Sequence, residues 1–272
     1  MKKAVFFDID GTLIDSFHGK HDISPEVKEA IRELQAEGYY AFIATGRPYA
    51  FISEKIWNFG FDGFVLSNGA QVVLNGETVY ESKMDPSFVK ELAKELDKHH
   101  IEYVLEGEHY SYISKNSNRL CELLKYIDVT DKMIKKEYNI EEIEVYKAEI
   151  YCDKEEIEKH CTKFIEKYPE IGYYYSINGS LFEVFAKCNH KAKGVEKALE
   201  IINVPIERSY AFGDGENDME MLETVGCGIA MGNASDHVKE CAKVVTKSVG
   251  EDGVAFGIRE YIQDSNYNES AC

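Results

Sequence analysis

Prolines are scarce in this sequence, 5 in 272 residues, and there is a single tryptophan. No tract is rich in Pro, Gly or Ser, which excludes a low-complexity or disordered chain. No apolar run approaches the roughly 18 residues of a membrane-spanning helix. The short run behind Lys2 and Lys3, Ala4 to Phe7, is cut by Asp8 and Asp10 long before a signal sequence could form. Basic residues are few, 31 Lys and Arg against 49 Asp and Glu, for a net charge of -18. Nucleic-acid binding runs on neutralised phosphates, so a chain this acidic excludes itself, and an anionic membrane surface repels it for the same reason. The cysteines at 121, 152, 161, 188, 227, 241 and 272 are odd in number and show no C-x-x-C spacing. That argues against a disulfide framework or a thiolate zinc site and for reduced, mostly buried thiols. These absences describe a soluble, cytoplasmic chain. An anionic ligand would need a local cation or a helix N-terminus to overcome the global field.

What is present is a core-forming chain, 44% apolar and 12% aromatic. Its length suits about two domains, or one with a large insertion. Ala4 to Phe7 reads as a buried strand. Ser24-Pro25-Glu26 supplies an N-cap, a proline at the first helical position and an acidic first turn. Val27, Ala30, Ile31 and Leu34 follow at helical spacing, and Gly38 closes that helix. Tyr39 to Ala44 is a second strand, Tyr49 to Trp57 a helix and Phe64 to Leu66 a third strand. Asn68-Gly69 and Asn75-Gly76 are hairpin signals. The rhythm returns with a helix ending at Ile202, a strand over Tyr210 to Phe212, a helix through Met219, Leu222 and Val225, and strands at Cys227 to Met231 and Val244-Val245. Strands alternating with helices predict a doubly wound, mostly parallel, Rossmann-like α/β sheet.

Between these halves the composition turns to Lys, Glu and Tyr. Short strands are expected at Tyr103 to Leu105, Tyr110 to Ile113, Lys147 to Cys152, Tyr173 to Ser176 and Leu181 to Phe185, around an amphipathic helix from Lys154 to Tyr168. The expected division is a core of residues 1–83 and 187–272 with an inserted α+β domain over 84–186. Within the insert, His99-His100 and the Glu141 to Glu144 stretch read as solvated, and Tyr173-Tyr174-Tyr175 as an alternating strand.

Asp8-Ile9-Asp10-Gly11-Thr12 carries the strongest chemical signal. Residues i and i+2 of a strand point to one side, so both carboxylates can face one crevice where the strand ends. One could serve as nucleophile and the other as general acid and base. By itself Asp-x-Asp commonly only begins a turn. Phe212-Gly213-Asp214-Gly215-Glu216-Asn217-Asp218 changes that, because a second buried strand delivers carboxylates to the same sheet edge. Converging carboxylates repel unless a dication holds them, and Mg²⁺ prefers such oxygen ligands. Asn217 or Asp218 also suits a helix N-cap. Thr45-Gly46-Arg47 ends the second strand with a hydroxyl and a backbone N–H suited to phosphate oxygens. Lys193 offers a cation after the insert, with Lys191 and Lys187 as competitors.

With these pieces in order, the sequence resembles the haloacid dehalogenase-like hydrolases, and among them the Cof-type phosphatases with a large inserted cap. Thr45-Gly46-Arg47-Pro48, Asn68-Gly69-Ala70 and Met219 to Leu222 are similar to that group as well. The likeness covers the core; the cap matches in position and size. It implies a Mg²⁺-dependent phosphatase of small phosphorylated metabolites, sugar phosphates or phosphorylated cofactors, acting as a monomer or homodimer. Asp8 would form a phosphoaspartate and Asp10 would be acid and base. Mg²⁺ would sit on Asp8, the Asp10 carbonyl and Asp214, with Asp218 orienting them. Thr45, Gly46, Asn217 and Lys193 would grip the phosphoryl oxygens, and Arg47 would reach substrate near the mouth. A sugar phosphomutase and a non-catalytic binding module of the same fold remain alternatives.

Overall fold

Buried β-rich runs and capped helices organise the chain, whose computed structural model describes residues 2–115, 117–126, 131–151, 153–175 and 181–263. The opening strands are β1 (Ala4–Phe7), β2 (Tyr40–Ala44), β3 (Gly63–Leu66), β4 (Gln71–Leu74) and β5 (Glu77–Glu81). The middle of the chain forms β6 (Glu102–Glu106), β7 (Ser111–Ile113), β8 (Ile134–Lys135), β9 (Lys147–Tyr151), β10 (Ile171–Tyr175) and β11 (Leu181–Ala186). The closing strands are β12 (Ser209–Gly213), β13 (Cys227–Ala230) and β14 (Val244–Val245). The chain divides into two units, residues 1–46, 54–80 and 190–272 in one and 47–53 and 81–189 in the other. The expected borders at 83/84 and 186/187 lie three residues from these, and the loop 47–53 with Arg47 groups with the inserted unit.

The first unit carries one sheet in the order β14-β13-β12-β1-β2-β3-β4-β5. From β14 to β3 every pairing is parallel, and β4 then runs antiparallel to β3. This is the expected doubly wound α/β sheet with an antiparallel extension at one edge. Chain order reverses at β1, which leads to β2 on one side and pairs with the late strand β12 on the other. All four β1 residues are buried, as helices on both sheet faces require. Asn75 and Gly76 both have positive φ, 51° and 80°, so the expected two-residue hairpin turn joins β4 to β5.

Helix α1 (Pro25–Ala36) begins as its sequence dictates. Ser24 Oγ accepts from the Val27 N–H at 3.2 Å, and Val27, Ala30, Ile31 and Leu34 are buried. The helix expected over Tyr49 to Trp57 is instead a 3₁₀ turn at Tyr49–Phe51, an extended Ile52 and then α2 (Glu54–Phe59). The break follows from packing within the inserted unit, where Ala50 and Phe51 join Val104, Ile113, Leu120 and Leu124.

In the inserted unit the sheet order is β10-β11-β9-β6-β7-β8. Tyr103, Leu105, Ala148, Ile150, Phe182 and Val184 alternate onto one face and pack against α3 (Pro86–Lys98). A short α4 (Asn118–Tyr126) follows β7. The single amphipathic helix expected from Lys154 is α5 (Lys154–Ile157) and α6 (Lys163–Ile165), joined by a π-helical turn that buries Cys161. His99, expected in solvent, stacks on His160 with ring centroids 3.8 Å apart. On the other sheet face Lys147 Nζ meets Glu183 at 2.7 Å, Glu149 at 3.2 Å and Glu106 at 3.3 Å. Burial pushes the Glu106 carboxyl well above the usual range, against the pull of Lys147.

The closing segment supplies α7 (Lys191–Ile202), α8 (Met219–Thr224), α9 (Asp236–Glu240) and α10 (Gly253–Gly257). Val195, Ala198, Leu199, Met221 and Leu222 pack on the face formed by Ala4, Phe6, Phe42 and Ala211. On the opposite face Phe7 stacks on Phe212. No helix among the described residues is long and apolar enough to cross a membrane. Cys121, Cys161, Cys188 and Cys241 are free thiols, as expected, but of these Cys161 is buried, Cys188 exposed and the other two half-buried, so fewer lie in the core than expected. Cys152, Ser176 and Cys272 lie outside the described residues.

Candidate active site

The site grows from the carboxyl ends of β1, β2 and β12, where an open parallel sheet with reversed winding leaves a crevice. Asp8 directly follows β1, and its N–H still donates to Phe212 O at 3.0 Å, so the side chain's position is set by the sheet. The backbone then turns sharply, with Leu13 N and Ile14 N both donating to Ile9 O at 2.9 and 3.0 Å. Gly11 makes that turn at φ +82°. Thr12 Oγ1 donates to Asp214 Oδ1 at 2.9 Å, joining the two acidic loops.

After β12 the second loop folds on its own carboxylate. Oδ2 of the buried Asp218 accepts from the N–H groups of Asp214 and Gly215, at 3.0 and 2.9 Å. Its Oδ1 accepts from Lys191 Nζ at 2.6 Å, and the same ammonium donates to Asp8 Oδ1 at 2.6 Å. Lys191 is buried in the first turn of α7. Asp8, Asp214 and Asp218 each bring a carboxylate oxygen within 4.8 Å of the others.

The electrostatics of this cluster are unbalanced. Burial, then the charges of Asp218 and Asp214, push the Asp8 carboxyl well above its usual range despite the adjacent Lys191. Burial and Asp218 push Asp214 up to about 7. Burial opposes charge on Lys191, yet Asp218 and Asp8 hold its ammonium above the ordinary lysine value. One cation faces two buried carboxylates and the half-buried Asp214, so all three cannot be ionised together without further positive charge. Hard oxygen donors with excess negative charge are a donor set that can hold a hard dication.

Of the residues singled out in the sequence, Asp8 and Asp214 meet in this cluster. Asp10 is half-buried beside it; its Oδ1 accepts from Ser16 Oγ at 3.1 Å, and its charge adds to the shift of Asp214. Thr45 is buried at the end of β2, its N–H donating to Val65 O at 2.9 Å. A Cβ on Gly46 would lie 3.0 Å from Asn68 Oδ1 and 3.4 Å from Asn217 Nδ2, so this backbone runs against both amides. Asn217 Nδ2 donates to Asn68 Oδ1 at 3.0 Å. Arg47 Nη1 donates to Phe51 O at 3.1 Å inside the inserted unit.

Lys193 is not the cation that reaches the carboxylates. Lys191 is. Two residues along a helix differ by about 200° in direction, so only one of the pair can face the cluster. Lys191 shares the buried stripe of Val195, Ala198 and Leu199, whereas Lys193 is half-buried and lies with Glu196, Lys197 and Glu200. That periodicity was present in the sequence and places Lys191, not Lys193, on the buried stripe of the helix, though not beside Asp8. Asn68 carried a weaker signal, as part of a turn, and Asn233 carried none.

A doubly wound α/β core with an inserted second unit, and acidic loops meeting a buried lysine at its switch point, defines the class to which this chain belongs. Residues 5–258 match the haloacid dehalogenase-like hydrolase family. The chain belongs to that family. Among curated relatives, the candidate phosphatase YkrA of Bacillus subtilis (strain 168) is 32% identical over 262 residues, covering 95% of this chain and 97% of the relative. The 5-amino-6-(5-phospho-D-ribitylamino)uracil phosphatase YitU of the same organism is 28% identical, covering 94% and 96%. Among solved structures, the subclass IIB sugar phosphatase BT4131 is 29% identical with a TM-score of 0.80, covering 95% of this chain and 98% of that one. The enzyme class expected from the motifs, a phosphatase, is the class these relatives carry.

Proposed function

We propose that this chain is a Mg²⁺-dependent phosphatase of small phosphorylated metabolites that works through a phosphoaspartate on Asp8. The observation that carries the reading is Lys191 Nζ held 2.6 Å from both Asp8 and Asp218, with Asp214 beside them. Lys191 occupies Oδ1 of Asp8 and leaves Oδ2 for attack on phosphorus. As that P–O bond forms, the ester P–O bond breaks, and Asp10 in its acid form gives its proton to the departing alcohol. Asp10 as carboxylate then takes a proton from water, whose oxygen attacks the phosphoaspartate, releasing phosphate and restoring Asp8.

Asp8, the Asp10 carbonyl and Asp214 would hold Mg²⁺, which when bound supplies charge compensation for the phosphoryl group. Lys191, Thr45, Gly46 and Asn217 orient the phosphoryl oxygens, with Lys191 replacing Lys193 in that role. The lysine also limits repulsion between nucleophile and anionic substrate. Sugar phosphates and phosphorylated cofactors are the favoured substrates, supported by relatives whose names specify a sugar phosphatase and a phosphoribitylaminouracil phosphatase.

The test is phosphate release from p-nitrophenyl phosphate and a panel of phosphorylated metabolites, with Mg²⁺ or with EDTA. Activity is expected only with the metal, and Asp8→Asn should lose at least about 10³-fold in kcat, as loss of a covalent nucleophile does. Wild-type turnover by that variant would refute the mechanism.

A further inference from the structure

The loop after β13 contains Asn233, whose side chain contacts three separate segments. Its Nδ2 donates to the Gly11 carbonyl oxygen at 2.9 Å and to Asp214 Oδ2 at 3.1 Å. Its Oδ1 accepts from the Val249 N–H at 2.8 Å. A backbone N–H can only donate, so Val249 determines which end of the amide carries the oxygen. Both hydrogens of Nδ2 are then directed at the two acidic loops, one at each. Asp214 is consequently held at both oxygens, Oδ1 by Thr12 and Oδ2 by Asn233. Gly11 belongs to the turn that follows Asp8 and Asp10, so the same amide ties that turn to Asp214. Asn233 is exposed, and its contribution is therefore one of orientation, not of burial.

We propose that Asn233 is a positioning residue for the cation site, holding the Asp214 carboxylate and the Asp8–Gly11 turn in the arrangement in which their oxygens can share one ion. This rests on the reading that Asp8 and Asp214 hold Mg²⁺. A neutral donor suits the task. It orients an anionic ligand without adding charge to an already acidic cluster, and without competing as a cation for the ion's place. Loss of a partner that orients a metal ligand typically costs 10–100-fold in affinity.

Two substitutions separate this role from a structural one. Asn233→Asp keeps the oxygen that accepts from Val249 and deletes both donors, while Asn233→Ala removes all three interactions. Mg²⁺ is titrated calorimetrically into each purified full-length variant, and kcat and KM for p-nitrophenyl phosphate are measured across Mg²⁺ concentrations. Both variants are expected to raise the Mg²⁺ Kd about 10–100-fold. Saturating Mg²⁺ should bring kcat back to within about threefold of wild type, with KM for the ester little changed. Wild-type or tighter Mg²⁺ binding by Asn233→Asp would overturn the proposal, as would a kcat loss that saturating Mg²⁺ does not relieve. Should Asn233→Asp fail to fold, Asn233→Ala carries the same test. Asp214→Asn serves as the reference: if it binds Mg²⁺ like wild type, the metal reading itself has failed. If it loses Mg²⁺ while Asn233→Asp does not, only the role of Asn233 falls.

Discussion

A Cβ atom on Gly11 would lie 2.1 Å from Oδ2 of Asp214. The turn that follows Asp8 therefore closes on the second acidic loop with no room for any side chain, and it does so at φ +82°, where L-residues are disfavoured. The two loops are fitted closely to each other.

Gly11→Ala should accordingly act on both stability and function. Backbone strain of about 1 kcal/mol adds to the cost of displacing Asp214. A drop of several degrees in Tm is expected by calorimetry, together with a loss of at least about 10²-fold in kcat/KM, since displacement of reacting groups by about 1 Å is enough for that. Wild-type activity would show that the contact between Gly11 and Asp214 is irrelevant to turnover.

The two candidate lysines make a paired prediction. Lys191→Met removes the ammonium that pairs with both Asp8 Oδ1 and Asp218 Oδ1 and should destabilise the metal-free chain by about 3–5 kcal/mol. It should also abolish measurable turnover. Lys193→Met changes a half-buried side chain on another face of α7 and should stay within about 0.5 kcal/mol of wild type. Denaturant melts and steady-state rates decide it; a reversed order would return the phosphoryl contact to Lys193.

A pH prediction follows from Asp214, whose carboxyl is pushed up to about 7 in the folded chain by burial and by Asp218, against about 3.9 when unfolded. Between those values the native state holds the proton that the unfolded state has released. The stabilisation is complete below the unfolded value and is lost as pH rises through 7. Without metal, wild type minus Asp214→Asn should therefore lose stability from pH 4 to pH 7. Mg²⁺ binds the deprotonated carboxylate, so the Tm increase on adding Mg²⁺ should grow over the same interval. Thermal melts in EDTA and in Mg²⁺ at each pH measure both. A Mg²⁺ effect that shrinks with rising pH would contradict the assignment of Asp214 as a ligand.

Much of the fold was legible because its signals are local. Ser24-Pro25 with Val27, Ala30, Ile31 and Leu34 dictates α1 from capping and period alone, and Asn75-Gly76 dictates the turn between β4 and β5. The helix expected at Tyr49 failed for the opposite reason. Ala50 and Phe51 are claimed by Val104 and Ile113, more than fifty positions away in the chain, and long-range packing overrides local propensity.

By itself the sequence determined which carboxylates end the strands, that Ser24 caps α1 and in what order the chemical groups follow one another. These properties depend on neighbours in the chain, on periods of 2 and 3.6, and on turn residues. Only the tertiary structure decided that Lys191 faces Asp8, that Asn68 meets Asn217 and that Asn233 joins Gly11 to Asp214. Each of these contacts links residues more than a hundred positions apart or on separate loops. A hydrogen bond is settled within tenths of an ångström by where the sheet and helices bring their ends, and no spacing along the chain encodes that distance.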